Sequence, residues 1–229
     1  MNRYKTLLFD ADNTLFDFSR AEREALCDTM RAADIDPTEE RIATYIEIND
    51  RLWKQLERGE IEKNALREER FRQFCEVCGF AADVPLMAQN YVEFLSQKAH
   101  LIKGADEVCR RLAEKYRLYI VTNGIKFVQE RRFAACAIKD YFEGVFISEE
   151  VGFEKPHRGY FDAVAQKIDG FSPETALIIG DSLTSDIKGG CDYGINTCWY
   201  NPRGSANKAQ LPITYEIRAL EELYPLLLD

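Results

Sequence analysis

The chain has 229 residues, of which 46% are hydrophobic and 30% are charged, and its formal net charge is −9. This balance is typical of a folded globular protein and excludes a disordered chain, while the length predicts one domain with a sizeable insertion. The negative charge is spread along the sequence and repels nucleic acid and anionic membranes, so we expect neither as a partner.

Cysteine and histidine usage restricts the chemistry further. Seven Cys is an odd number, scattered through predicted helices and strands, which favours reduced thiols in a cytosolic protein. Cys75 and Cys78 form a single CxxC pair, so zinc and redox chemistry are disfavoured. His100 and His157 lie in unrelated contexts, which argues against a histidine metal cluster. There is no signal-peptide pattern and no apolar run of about 20 residues, so we expect a cytoplasmic protein.

The first half of the chain begins with a strand and continues with helices. Residues 6–9 are a short apolar run, typical of a strand buried on both faces, and Asp10-Ala11-Asp12-Asn13-Thr14 follows it. From about residue 18 to about residue 98 the hydrophobic pattern is helical instead. Asp36 as a cap before Pro37 predicts a helix start. The four predicted helices span 19–33, 37–57, 60–78 and 83–98.

After Gly104, strands and helices alternate. The predicted strands lie at 118–121, 144–147, 176–179 and 195–199. The predicted helices lie at 105–116, 125–137, 157–168, 184–193 and 216–228. Such alternation predicts a parallel sheet with right-handed crossovers and helices on both faces. The fold class is therefore α/β, with a doubly wound, Rossmann-like core formed by 1–15 and 100–229 and an all-helical insertion at 16–99.

Polar side chains follow four of the predicted strands. The four groups are Asp10 with Asp12, Thr122-Asn123-Gly124, Lys155-Pro156 in the loop beyond the third strand, and Gly180-Asp181-Ser182 with Asp186. Each group alone has an ordinary explanation, since an Asp after a strand is often only a helix cap or a turn former. The carboxyl ends of parallel strands open on one crevice, however, which is the usual ligand site of such folds. The four groups together therefore predict one site.

Several carboxylates at one rim predict a divalent cation. They repel each other unless a cation lies among them, and hard oxygen ligands without His favour Mg²⁺. Asp10 and Asp181 are the best candidates for side-chain ligands. The metal would screen the repulsion between a carboxylate nucleophile and a phosphate dianion.

The remaining side chains suit phosphoryl transfer to Asp10. Lys155 can supply positive charge to the transferred group, while the Thr122 hydroxyl and the backbone around Asn123 can supply hydrogen bonds. Asp12 can protonate the leaving alkoxide and then deprotonate the attacking water. We therefore expect a small phosphomonoester as the substrate.

These motifs resemble those of the haloacid dehalogenase superfamily of aspartate-nucleophile phosphotransferases, and the resemblance covers essentially the whole chain. Its four motifs are matched, in order, by Asp10-Ala11-Asp12-Asn13-Thr14-Leu15, Thr122-Asn123-Gly124, Lys155-Pro156, and Gly180-Asp181 with Asp186. The insertion is similar to the helical cap of the family, which closes over the active site.

The resemblance also implies a role for each site residue. Asp10 is then the nucleophile and Asp12 the general acid and base. Asp10, the backbone carbonyl of Asp12, and Asp181 are implied to bind Mg²⁺. Asp186 is implied to hold metal-bound waters or to orient Lys155.

One departure concerns the turn of the first motif. Asn13 stands where the family commonly has Gly, and Asn tolerates positive φ better than most residues. The namesake dehalogenases lack the second acid of the motif, because they have no leaving alkoxide to protonate. Asp12 therefore points to phosphoryl transfer rather than dehalogenation.

Within the superfamily, four stretches resemble the pyrimidine nucleoside 5′-monophosphate phosphatases. They are residues 9–16, 49–53, 147–152 and 180–187. The resemblance implies hydrolysis of a nucleoside monophosphate. Trp53 could then stack on the base, although a core aromatic between helices is the simpler interpretation.

Two alternatives stay open. A sugar-phosphate or phosphoglycolate phosphatase, or a phosphomutase, would use the same core with another substrate. A receiver-like signalling domain is also doubly wound and accepts phosphate on Asp. Such domains are about half this length, place the acceptor after a later strand and lack an insertion.

Overall fold

The computed structural model describes residues 3–228, and it divides into two compact units. One unit comprises the chain up to Phe18 together with the chain from Ala99, and the other comprises Ser19–Lys98. The first is an α/β unit. The second contains helices and the turns that join them.

A parallel sheet of six strands lies at the centre of the α/β unit, in the order β3-β2-β1-β4-β5-β6. The strands are β1 (Thr6–Phe9), β2 (Arg117–Thr122), β3 (Gly144–Ile147), β4 (Ala176–Gly180), β5 (Asn196–Tyr200) and β6 (Tyr215–Ile217). β1 pairs with β2 on one side and with β4 on the other, so that Phe9 lies between Ile120 and Ile179. The strand order therefore reverses direction at β1, which opens a crevice at its carboxyl end.

The central strands are apolar throughout because both faces of the sheet are covered. Leu7 and Phe9 pack into the cluster on one face, whereas Leu8 packs with Val121 and Ile178 into the cluster on the other. The period of two residues in a strand sends alternate side chains to opposite faces. An unbroken apolar run is thus the pattern that a doubly covered strand requires. The predicted α/β class with a doubly wound parallel sheet is confirmed.

Ten α-helices complete the described part of the chain. The helical unit contains α1 (Phe18–Ala32), α2 (Glu39–Glu57), α3 (Lys63–Cys78) and α4 (Val84–Ser96). The α/β unit contains α5 (Ala105–Ala113), α6 (Lys126–Ala134), α7 (Ser148–Val151), α8 (Arg158–Lys167), α9 (Lys188–Tyr193) and α10 (Leu223–Leu227). Every helix within residues 3–228 is too short or too polar to span a bilayer.

The helical unit has an aromatic core of its own. Tyr45 lies 5.0 Å from Phe71 and 5.7 Å from Tyr91, measured between ring centroids. At the start of α2 the cap is Thr38, whose Oγ1 accepts a hydrogen bond from the backbone N–H of Arg41. The expectation that Asp36 caps this helix was wrong by two residues, because Thr38 can reach the N–H that is left free at this helix end.

The prediction of one helix over 216–228 was wrong in its first half. Tyr215–Ile217 forms β6, which extends the sheet beside β5, and α10 begins only at Leu223. Thr197 and Thr214 exchange backbone-to-hydroxyl hydrogen bonds of 3.1 and 3.2 Å and fix the register of this edge. Tertiary pairing therefore overrides a local pattern that is too short to decide between helix and strand.

Candidate active site

Asp10 follows β1 directly and lies at the carboxyl end of one of the two central strands. Its backbone N–H donates to the carbonyl of Ile179, and its side chain accepts a hydrogen bond of 2.7 Å from Lys155 Nζ. Lys155 Nζ also donates to Asp186 Oδ1 at 2.6 Å and to the carbonyl of Val121 at 2.7 Å. An ammonium has three donors. Buried Lys155 therefore uses all of them on protein groups and joins its own loop to Asp10, to strand β2 and to the turn that carries Asp186.

Asp186 is fully buried and is held from both sides. Besides the contact with Lys155, its Oδ2 accepts from the backbone N–H of Ser182 at 3.1 Å. A Cβ on Gly180 would lie 2.3 Å from Asp186 Oδ2, so only glycine permits this approach. The turn that carries Asp186, Leu183–Ile187, is wound as a π-helix.

Three carboxylates converge at this point. Oxygens of Asp10, Asp181 and Asp186 lie within 4.8 Å of one another, and within residues 3–228 no other group of three metal-ligating side chains meets that criterion. Lys155 compensates one of the three charges, so two remain if all three acids are ionised. An all-oxygen donor set with excess negative charge fits Mg²⁺.

The pKa values show the same unbalanced charge. Burial raises the pKa of Asp10 to about 7, with further upward pressure from Asp186, although Lys155 acts in the opposite direction. Burial and the charge of Asp10 raise the pKa of Asp181 well above its usual range. For Lys155 burial disfavours the cation, but the charges of Asp10 and Asp186 outweigh it and the pKa is raised. A bound divalent cation would favour the ionised form of both acids.

The Asp12 side chain lies outside the carboxylate cluster and has two partners on α6. Arg132 Nη1 donates to Asp12 Oδ1 at 2.6 Å, and Gln129 Nε2 donates to Asp12 Oδ2 at 2.6 Å. Sequence reasoning missed both partners. The available signal was a Gln and an Arg three residues apart, on a helix face shared with Val128 and Phe133. In the turn after Asp12, Asn13 adopts the predicted positive φ, at 60°.

The side chains of Thr122 and Asn123 in the second motif form hydrogen bonds with neighbouring protein groups. Thr122 Oγ1 accepts from the backbone N–H of Gly124 and from Gln129 Nε2, both at 3.1 Å. The side-chain amide of Asn123 pairs with the backbone N–H and carbonyl of Lys155, at 2.8 Å each. The side chain of Asn123 thus ties the second motif to the third.

The side of the site next to β5 carries another residue that the sequence analysis missed. The indole Nε1 of Trp199 donates to the backbone carbonyl of Asp181 at 2.8 Å, which fixes the loop that presents this acid. A cleft of about 130 Å³ lies beside Asp181 and is lined also by Asn13, Tyr200 and Asn201. There is thus open space within the α/β unit next to the carboxylate cluster.

In the helical unit, Trp53 is neither deeply buried nor part of the aromatic core. Its ring is half-buried, and Lys63 Nζ lies 5.9 Å from the ring centroid. Cys75 is buried and Cys78 half-buried, and both are free thiols. Neither belongs to the group of metal-ligating side chains found among residues 3–228.

The fold and the four converging motifs define a haloacid dehalogenase-like hydrolase, and the match to that family extends over residues 4–193. The chain belongs to this family and is a hydrolase, so the receiver-like alternative no longer applies. HAD-hydrolase YfnB of Bacillus subtilis is 42% identical over 227 residues, which cover 99% of this chain and 97% of that protein. A crystal structure of YfnB bound to magnesium matches with a TM-score of 0.94 over 98% of this chain and 99% of that chain.

Two further relatives carry names of specific activities. Pyrimidine 5′-nucleotidase PynA of Streptococcus pneumoniae is 39% identical over 96% of this chain and 93% of its own length. Pyrimidine 5′-nucleotidase YjjG of Escherichia coli is 27% identical over 98% of both chains. The resemblance to nucleotide phosphatases noted in the sequence is thus matched by relatives of the same length.

Proposed function

We propose that this protein is a magnesium-dependent phosphatase of pyrimidine nucleoside 5′-monophosphates that acts through a phosphorylated Asp10. The observation that carries the proposal is the meeting of three carboxylates and one ammonium at the carboxyl end of β1, with oxygens of the three acids within 4.8 Å of one another. Asp10 directly follows β1, whereas Asp181 directly follows β4.

In the first step, a carboxylate oxygen of Asp10 attacks phosphorus, and the bond from phosphorus to the leaving oxygen breaks. The positive charge of Lys155 and the hydroxyl of Thr122 stabilise the charge on the transferred group, and the backbone amides near Asn123 add donors. Asp12 in its acid form gives its proton to the leaving oxygen, which departs as the nucleoside hydroxyl.

In the second step, water attacks the phosphorus of the aspartyl phosphate. Asp12, now a carboxylate, takes a proton from that water, and Asp10 is released with inorganic phosphate. The same residue thus serves as acid and base in turn, which requires its carboxylate to stay in place between the two steps.

Mg²⁺ would be held by Asp10, Asp181 and the backbone carbonyl of Asp12, with Asp186 behind Lys155 or on metal-bound waters. When bound, it neutralises the carboxylates and the substrate phosphate and so allows an anionic nucleophile to approach an anionic substrate. With a net charge of −9 the overall field of the protein does not attract an anionic substrate, so positive charge has to be supplied at the site.

The preference for pyrimidine nucleotides is supported by PynA and YjjG, which match nearly the whole chain. We also propose that residues 16–99 form the cap implied by the family resemblance and select the nucleoside. We assign the half-buried ring of Trp53 in this unit to stacking on the base. A cytoplasmic location suits a nucleotide substrate.

The covalent mechanism is tested with Asp10→Asn. We expect an unchanged fold by circular dichroism and a loss of turnover of more than about 1,000-fold, because the amide is a poor nucleophile. Near wild-type activity in this variant would remove the proposed mechanism.

The substrate is tested separately, by phosphate release from a panel of phosphomonoesters. Uridine and thymidine monophosphates should give higher kcat/KM than sugar phosphates or phosphoglycolate. If the nucleotides are the poorer substrates, the sugar-phosphate alternative replaces them while the phosphatase chemistry stands.

A further inference from the structure

The two side chains that contact Asp12 are unusual because they are polar and yet fully buried. Gln129 and Arg132 are both fully buried, although Gln and Arg are mostly exposed residues. Both reach from α6 to the same carboxylate, and they bind its two oxygens separately at 2.6 Å. The Asp12 side chain itself stays 23% exposed, so the carboxylate is held by α6 and remains partly accessible.

Asp12 is the carboxylate partner of buried Arg132. Its guanidinium lies 4.4 Å from the centroid of the Phe16 ring, and its Nε and Nη2 have no hydrogen-bond partner within residues 3–228. A buried cation with a single carboxylate partner is costly to the fold. Such an arrangement suits a residue whose role is to hold the Asp12 carboxylate rather than to stabilise the fold.

Gln129 links Asp12 to the second motif. Its Nε2 lies between Asp12 Oδ2 at 2.6 Å and Thr122 Oγ1 at 3.1 Å. The amide crosses directly over the 122–124 turn, since a Cβ on Gly124 would lie 2.1 Å from Gln129 Nε2. Glycine at this position is therefore required by the path of Gln129, in addition to the turn itself.

We propose that Gln129 and Arg132 are positioning residues that fix the carboxylate of Asp12 toward the leaving oxygen throughout the two-step reaction. This inference rests on the proposed function and adds to it, because it assigns the orientation of the acid and base to helix α6. Two donors on different oxygens prevent rotation of the carboxylate, while its remaining lone pairs stay available for the proton that is transferred.

Substrates with different leaving groups distinguish positioning of the acid from a purely structural role of Gln129 and Arg132. An alkoxide needs a proton as it departs, whereas p-nitrophenolate departs readily without one. The parameter kcat/KM covers the steps up to departure, so it is compared for p-nitrophenyl phosphate and for the alkyl phosphate that the wild type hydrolyses fastest. The variant Asp12→Asn shows how far the losses in kcat/KM of the two substrates differ when the acid is removed completely.

For Gln129→Leu and Arg132→Met we expect kcat/KM of the alkyl phosphate to fall by about tenfold or more, and that of p-nitrophenyl phosphate by less than about threefold. Arg132→Lys should recover part of the loss. Gly124→Ala should resemble Gln129→Leu, because the added methyl displaces the amide. Arg131→Met, on the exposed side of the same helix, is the matched control and should behave as wild type with both substrates.

A double variant distinguishes action through Asp12 from a separate effect. If Gln129 acts through Asp12, Gln129→Leu should change little in the Asp12→Asn background. Equal losses with both substrates, or additive losses in the double variant, would overturn the assignment. If Arg132→Met does not fold, Gln129→Leu and Gly124→Ala carry the test. If Asp12→Asn itself shows no dependence on the leaving group, the proposed role of Asp12 fails instead.

Discussion

Glu22 in the helical unit is a buried acid whose removal should stabilise the protein above neutral pH. It is 6% exposed on α1, and its Oε1 accepts from Asn49 Nδ2 at 2.7 Å and from the hydroxyl of Tyr91 at 3.5 Å. Asn49 in turn accepts from buried Arg70 at 3.4 Å. Burial, and after it the charge of Asp50, raises the pKa of Glu22 from its ordinary 4.5 to about 7, against the opposing charge of Arg70.

The direction of the pH effect follows from the raised pKa. Between pH 4.5 and about 7 the folded state keeps a proton that the unfolded state has already lost. The free energy of unfolding therefore falls as the pH rises through this interval, and the full penalty is present above pH 7. At about 1.4 kcal/mol for each pH unit, the interval corresponds to ~3–4 kcal/mol.

Glu22→Gln removes the charge and keeps an acceptor for Asn49. We expect its free energy of unfolding to match that of the wild type near pH 4.5 and to exceed it by ~3–4 kcal/mol at pH 8. The two Trp residues allow a direct assay, because Trp53 lies in the helical unit and Trp199 in the α/β unit. In a Trp199→Phe background, urea unfolding followed by Trp53 fluorescence reports on the helical unit.

Glu40→Gln serves as the control, since Glu40 is an exposed acid on the same unit and its replacement should not raise the free energy of unfolding at pH 8. The reasoning would be refuted if Glu22→Gln destabilised the protein at pH 8. A stability difference that stays constant from pH 5 to pH 8 would refute it equally.

Three further predictions concern the active site. Chelation with excess EDTA should abolish phosphate release, and Mg²⁺ should restore it while Ca²⁺ should not, because Ca²⁺ takes more ligands in a looser geometry. Asn123→Ala removes two hydrogen bonds to the Lys155 backbone and should lower kcat about tenfold or more and the free energy of unfolding by ~1–2 kcal/mol, measured by steady-state kinetics and urea denaturation. Gly180→Ala should displace Asp186, cost ~1–3 kcal/mol in thermal melts, and raise the Mg²⁺ concentration that gives half-maximal activity.

The sequence contained enough to predict the sheet and the residues that meet at its edge. The apolar runs at 6–9 and 176–179 mark strands covered on both faces, and polar residues directly after a parallel strand must share one rim. Strand β6 was missed because three residues carry no usable periodicity. Its formation depends on pairing with Cys198–Tyr200, which is a tertiary fact.

The contacts within the site could not be predicted in the same way. Periodicity indicates that Gln129 and Arg132 lie on one face of α6, but not that this face meets Asp12. Likewise, Asn123 was expected near phosphate on the basis of its motif, whereas its side chain pairs with the backbone of Lys155. Trp53 is a large aromatic residue of the kind expected in a helical core, but it lies outside the aromatic cluster of Tyr45. Each of these depends on distances between elements that are far apart in sequence.

The two segments through which the chain leaves and re-enters the α/β unit run side by side. Phe16 forms an antiparallel bridge with Leu101, the N–H of Asp17 donates to the carbonyl of His100 at 2.9 Å, and the N–H of Ile102 donates to Leu15. Antiparallel neighbours can be joined by a loop of about two to five residues. In topology, Ser19–Lys98 is therefore an insertion at the end of a hairpin. A short Gly-containing turn in its place could join the two segments and leave the backbone of the sheet, of Asp10 and of Lys155 unchanged. The helical unit can therefore be exchanged in evolution without any change in the path of the backbone through the α/β unit.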